Sequence, residues 1–315
     1  MTKPSPQPST ARLPAGSYPA MLTAFHDDGQ IDWDGVSRLT DQCIEAGASG
    51  IFACGLSAEV LQMDDDEKVQ LAEHIIRRTA GRIPIVAGAI SVAGTKSLAT
   101  LITRVHDAGA DHVAIGVSHL ADEQCSDEEW IAQANNLLQR IPADVQLAMY
   151  ECPLPYHRLL GDQAIRWTAE SKRFMFLKDT CCNIDTIRRR LDLLAGSPLQ
   201  LFNANAETLT ASLRAGADGF CGIGANFMPE LYAWLCANYD REPKLAEELQ
   251  RFLNTTFQAT EDATYPASAK SFLQRRGLAI GAYSRKVPSG ITTEINAALD
   301  DLLAKNEAWL ARLNA

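Results

Sequence analysis

The sequence predicts a (β/α)8 TIM barrel followed by a C-terminal helical extension. Three observations predict it. Eight short apolar runs recur along the chain, each followed by a longer amphipathic stretch, and beyond residue 240 only helical patterns remain. Short, nearly all-apolar runs suit parallel strands buried on both faces. Strands alternating with helices point to βαβ units.

The expected strands are Ala20–Phe25, Gly50–Gly55, Pro84–Ile90, His112–Ser118, Val145–Pro153, Phe174–Thr180, Leu199–Asn205 and Gly219–Gly224. Helices are expected between them. Trp33–Ala46 repeats apolar residues at Val36, Leu39, Cys43 and Ile44. Asp64–Ala80 opens on acidic residues, which favour a helix N-terminus. The further helical stretches are 95–108, 126–140, 161–171, 183–195, 206–215 and 228–240. Gly47, Gly109, Gly196 and Gly216 fall at or just past helix ends, where a left-handed residue is useful. An open doubly wound sheet is the rival architecture. It would place a G-x-G-x-x-G turn after its first strand, and none follows Ala20–Phe25.

The expected organisation is a flexible tail at 1–16, a barrel at 17–240 and a helical extension at 241–315. Pro, Ser and Thr crowd the tail, which lacks the charged-then-apolar order of a signal peptide. Within the extension, Leu245–Ala259, Ser268–Arg276 and Thr292–Leu313 read as helices.

The chain has 315 residues, 46% of them hydrophobic, and a formal net charge of −10. That composition argues for a globular fold, against a nucleic-acid or anionic-membrane partner, and no apolar run is long enough for a spanning helix. Its eight cysteines form no C-x-x-C pair and no zinc-ligand spacing. Cys54, Cys152 and Cys221 lie in apolar runs, as small hydrophobes do. A reducing, cytoplasmic setting is the natural expectation.

In such a barrel, catalytic groups sit at the C-terminal ends of strands. Of nine lysines, Lys178 alone lies in an apolar strand; the other eight are expected to be solvated. Burial penalises an ammonium, and a neutral amine can attack a ketone to form a Schiff base. The plainer reading is an ion pair with Asp179, although strand alternation points the two side chains to opposite faces. Tyr150 precedes Lys178 by 28 residues, about one βαβ step. Adjacent parallel strands would bring its phenol beside the amine as a proton carrier. A core tyrosine is the plainer reading. The turn Gly55-Leu56-Ser57-Ala58-Glu59 offers backbone amides and the Ser57 hydroxyl to a carboxylate. An unoccupied tight turn is the alternative. Gly222-Ile-Gly224 could cradle a phosphate, but no basic residue accompanies it.

Together these residues resemble the dihydrodipicolinate synthase/N-acetylneuraminate lyase family, over roughly residues 17–300. The resemblance rests on Ala20–Phe25 with Asp28–Asp32, Gly50–Glu59, Tyr150-Glu-Cys-Pro153, Phe176-Leu-Lys178-Asp-Thr180 and Gly216–Asn226. It implies a class I barrel lyase without metal or organic cofactor. Lys178 would form the imine with a 2-oxo acid, such as a 2-keto-3-deoxy sugar acid, and Tyr150 would move protons. Gly55, Leu56 and Ser57 would hold the carboxylate. Thr180 matches the lyase branch, and the Cys221 carbonyl would orient substrate or tyrosine. A homotetramer is also implied.

Departures separate the chain from a true dihydrodipicolinate synthase. Leu56 stands where the family has a hydroxyl residue, and no relay tyrosine follows the fourth strand; His119 is the nearest substitute. Pro155 replaces the synthase's arginine, with Arg158 further along. Asn203 and Glu207 resemble the lyase's sugar-binding turn, whose aspartate aligns with Ala206. His119, Tyr156, His157 and Asn205 are candidates for specificity. A paralogue that binds a 2-oxo acid without turnover is the alternative from another functional class.

Overall fold

The computed structural model describes residues 12–91, 94–260 and 263–314. Eight parallel strands form one curled sheet: β1 (Gly16–Ser17), β2 (Ile51–Ala53), β3 (Ile85–Gly88), β4 (His112–Gly116), β5 (Leu147–Tyr150), β6 (Phe174–Asp179), β7 (Gln200–Asn203) and β8 (Gly219–Phe220). Their order is β1-β8-β7-β6-β5-β4-β3-β2. Seven strands fall inside the expected runs.

The first is a correction. The run Ala20–Phe25 carries only isolated bridges, at Ala20 to Phe52 and at Phe25 to Ile31, and β1 lies earlier. The Gly16 and Tyr18 amides bond Asp218 and Phe220 on the β8 side, whereas Ser17 and Pro19 face β2, where Pro19 offers a carbonyl but no N–H. The chain then bonds on its other side: Phe52 donates to the Pro19 carbonyl and Met21 to the Phe52 carbonyl. The sheet thus curls until the segment after β1 lies along β2.

Of the expected tail at 1–16, residues 1–11 lie outside the described residues. The rest is anchored: buried Leu13 exchanges two hydrogen bonds with the Gln200 side chain.

The strands alternate with α1 (Trp33–Glu45), α2 (Asp65–Thr79), α3 (Thr95–Asp107), α4 (Asp127–Leu138), α5 (Asp162–Ser171), α6 (Ile184–Leu194), α7 (Leu209–Arg214) and α8 (Pro229–Asn238). Side-chain caps set several of the starts. Asp32, Asp64 and Asn183 accept amide protons from the first turns of α1, α2 and α6. Ser126 and Glu129 form a reciprocal capping box on α4. The extension supplies α9 (Pro243–Thr260), α10 (Ala267–Arg275) and α11 (Thr293–Leu313). No helix among the described residues is long and apolar enough to cross a membrane.

Inside the curl, an aromatic ladder forms the floor beneath the strand ends. Phe176 stacks on Phe202 at 4.1 Å, and Tyr18 meets Phe202 edge-on at 4.7 Å. Phe52 meets Phe176 at 6.2 Å and Tyr150 at 5.5 Å. Such rings contribute large apolar area with a preferred geometry. Gly50 is required by this packing, because a Cβ there would lie 2.1 Å from the Tyr18 ring.

Candidate active site

Lys178 and Tyr150 are direct partners in the β5–β6 register. Both side chains are buried. The Lys178 Nζ lies 4.5 Å from the Tyr150 ring centroid and 4.6 Å from that of Phe52. Among the described residues, no carboxylate forms an ion pair with this amine. Strand alternation explains why. Asp179, one residue on, points outward and is bound by Arg190 of α6.

Arg190 also reaches the neighbour of Tyr150. Its Nη1 and Nη2 donate to Glu151 at 2.9 and 2.6 Å. Glu151 further accepts the amides of Leu160 and Thr180. One guanidinium therefore clamps the residues after Tyr150 and Lys178, holding the two strand ends in register. All three charged groups are almost wholly buried. Burial pushes the Glu151 carboxyl above the usual glutamate value although Arg190 pulls it down. Burial alone would lower the Arg190 guanidinium, but the two carboxylates outweigh it and raise it.

Tyr150 remains a phenol far above the usual tyrosine range. Burial is the main cause, reinforced by Cys152, Cys221 and Tyr265. It is thus a proton donor beside an amine. Burial pushes the Cys221 thiol up to about 11, against the pull of the Lys178 amine. The Cys221 amide bonds the Asn203 carbonyl.

The turn after β2 follows the strand that carries Phe52. Ala58 and Glu59 amides close it onto the Gly55 and Leu56 carbonyls, so the amides of Leu56 and Ser57 are spent on neither bond. Gly55 is needed here, since a Cβ would meet the Phe52 ring at 2.8 Å. Ser57 is buried and Leu56 half-buried. Cys54 (φ 53) and Glu59 (φ 64) bracket the turn in the left-handed region, an uncommon state that persists only when surroundings enforce it.

Glu59 shows the enforcement. Its carboxylate accepts from Lys270 Nζ, from Ser284 Oγ at 2.9 Å and from the Lys286 amide at 2.9 Å. Lys270 also donates to the Tyr283 carbonyl and lies 4.5 Å over the Phe25 ring. This corrects the expectation that Lys270 is solvated: it is fully buried. Burial holds it below the usual lysine value even with Glu59 beside it. Its partner is 211 residues away, so no local pattern marks the pair.

Other expected residues are engaged elsewhere. His119 Nε2 donates to the Leu154 carbonyl at 3.2 Å, and the structure gives it no hydrogen bond to Tyr150 or Ser57. Thr180 donates to the Glu151 carbonyl and bonds His157, which braces the loop beyond Lys178. Arg158 bonds the Cys125 and Ser126 carbonyls at the start of α4. Tyr156 donates to the Ala121 carbonyl. Asn203 is buried and bonds Thr208 and Ser212, Asn205 caps Thr208, and Glu207 is exposed. Gly222 and Gly224 serve packing: a Cβ would lie 2.3 Å from the Ala204 carbonyl and 2.1 Å from the Tyr232 hydroxyl. Sequence reasoning missed Tyr265. Its hydroxyl lies 2.7 Å from Ser57 Oγ, contributed from 208 residues later in the chain.

The chain matches the model of the dihydrodipicolinate synthetase family over residues 13–306. Among relatives, it is 27% identical to the 4-hydroxy-tetrahydrodipicolinate synthase of Marinobacter nauticus over 294 residues, covering 91% of this chain and 97% of that one. It is 26% identical to the enzyme of that name from Laribacter hongkongensis, covering 95% and 98%. Solved structures share the fold. The dihydrodipicolinate synthase of Thermotoga maritima superposes with a TM-score of 0.84 at 22% identity, covering 94% and 99%. A prophage protein of the dihydrodipicolinic acid synthase family from E. coli K12, in complex with pyruvate, gives 0.84 at 21%, covering 93% and 98%.

Proposed function

The chain belongs to the dihydrodipicolinate synthetase family, and on that premise we propose that it cleaves a 2-oxo acid through an imine on Lys178. Members of the family are class I aldolase-type lyases, and this chain is an enzyme of that type. The observation that carries the proposal is the placement of one amine. Lys178 Nζ is buried at the strand ends between two aromatic rings, one of them a phenol on the adjacent strand. The curled sheet, bonded across from Pro19 and Met21 to Phe52, is read as a closed (β/α)8 barrel. The division into barrel 17–240 and extension 241–315, the homotetramer and the cytoplasmic setting remain parts of this proposal.

The Lys178 amine attacks C2, a C–N bond forms, and the keto oxygen takes a proton to give a carbinolamine. Tyr150 donates a proton to that hydroxyl, which leaves as water, and the imine remains. Ser57 and the Leu56 and Ser57 amides hold the substrate carboxylate, with Thr180, Gly55 and the Cys221 carbonyl shaping the rest. The imine then accepts an electron pair. Tyr150, left deprotonated by that donation, takes the C4 hydroxyl proton as C3–C4 breaks, which releases an aldehyde and, after protonation at C3 and hydrolysis, pyruvate. Alternatively, loss of a C3 proton and the C4 hydroxyl releases water. The family resemblance and the pyruvate bound to a structural relative support a 2-oxo acid.

Incubation with a panel of 2-keto-3-deoxy sugar acids tests the reading. Release of pyruvate or of a dehydrated oxo acid is expected from at least one member. Borohydride-trappable adduct without any cleavage would instead favour the paralogue that binds without turnover.

Tyr150→Phe keeps the ring contacts and loses only the hydroxyl. Turnover is expected to fall about 10²-fold or more, as when a positioned acid is removed, with the unfolding midpoint unchanged. A rate within twofold of the parent would remove Tyr150 from the mechanism.

A further inference from the structure

We propose that Tyr265 positions the Ser57 hydroxyl as a hydrogen-bond donor to the substrate's carboxylate, from within the same chain. The inference rests on the imine reading above and extends it to a residue of the C-terminal extension.

The argument is one of proton counting. Asn226 Nδ2 donates to the Ala20 carbonyl at 2.8 Å, which fixes the amide with its nitrogen on that side. The same nitrogen lies 2.7 Å from the Tyr265 hydroxyl. An amide NH2 has protons and no lone pair to offer, so the Tyr265 oxygen must accept. The single phenolic proton is then directed to Ser57 Oγ, 2.7 Å away. A serine hydroxyl that accepts this bond keeps its own proton for another partner. Gly55, two residues before Ser57, rests on the Phe52 ring, whose centroid is 4.6 Å from Lys178 Nζ. Without Tyr265, the serine proton could turn to other acceptors, and the carboxylate would meet an unoriented dipole.

Tyr265 is itself held. Its ring stacks on Phe227 with centroids 6.3 Å apart, and its carbonyl accepts from Lys286 Nζ at 3.1 Å. Lys286 in turn donates its amide to Glu59, at the end of the same turn. The extension therefore grips the turn at both Ser57 and Glu59. A hydrogen bond across 208 residues is not a local convenience; it makes the site depend on docking of the extension.

The test uses Tyr265→Phe in the full chain, which retains the ring and its stacking. Borohydride trapping on Lys178 is measured with pyruvate and with acetone, a ketone without a carboxylate. The preference for pyruvate over acetone is expected to fall about tenfold, the scale of one hydrogen bond to a charged group. Ser57→Ala is expected to lose the same preference, and the double variant no more than either alone. A preference unchanged within twofold in Tyr265→Phe would overturn the proposal, as would equal losses with both ketones or additive losses in the double variant. Should the parent protein itself form no adduct with pyruvate, the imine reading falls and this proposal with it. An adduct in the parent with unchanged preference in the variant sinks the role of Tyr265 alone.

Discussion

Replacing Lys178 by alanine is expected to abolish borohydride trapping of pyruvate and to lower lyase turnover by at least about 10³-fold, the scale for loss of a covalent nucleophile. Two other lysines among the described residues are buried, so the result is not trivial; Lys68 is paired with Asp65. Lys270 is committed to Glu59 and to the Tyr283 carbonyl. Lys178 has neither a carboxylate nor a carbonyl partner among the described residues, only aromatic faces. Circular dichroism should show an unchanged fold, since the strand keeps its ladder and only side-chain contacts are lost. An adduct that persists in Lys178→Ala, on Lys270 or elsewhere, would end the assignment.

Arg190→Met is expected to cost about 3–5 kcal/mol of stability in chemical denaturation, because it leaves buried carboxylates without their cation. Methionine fills much of the volume, so the loss reports charge rather than a cavity. The pH dependence has a definite sign. Glu151 already sits above its ordinary value of 4.5 through burial, and removing the guanidinium raises it further. A native state that keeps a proton the unfolded chain has released loses stability as pH rises. The deficit of Arg190→Met should therefore grow from about pH 4.5 upward, through the raised value, and shrink on acidification. A variant equally unstable at pH 5 and pH 8 would show that Glu151 is not the group responsible. Trapping at Lys178 should also slow, since Arg190 ties the residues following both Tyr150 and Lys178.

The placement of Lys178 beside Tyr150 was legible because strand geometry is local. One apolar run with one lysine, and a tyrosine one βαβ step before it, suffice to put both groups at neighbouring strand ends. Alternation likewise separates Lys178 from Asp179. The same logic placed seven strands and most helix starts, where capping side chains mark the boundaries. The first strand escaped because its place is decided by hydrogen bonds to β8 on one side and to β2 on the other, not by apolarity. The contributions of Tyr265 and Lys270 were invisible for a different reason. Each is defined by a partner more than 200 residues away, Ser57 and Glu59 respectively. A helical stretch containing Lys270 gives no sign that the lysine faces inward. His119 was the natural substitute for a missing relay tyrosine in sequence terms, yet its ring bonds Leu154. The hydroxyl beside Ser57 comes from the extension instead.

The most direct test of the central claim is peptide-level mass spectrometry of the parent protein after borohydride reduction in the presence of pyruvate. The account predicts a mass increase of one reduced pyruvate, confined to the peptide that carries Lys178. An unmodified Lys178 peptide, or an increment on any other lysine, would contradict it.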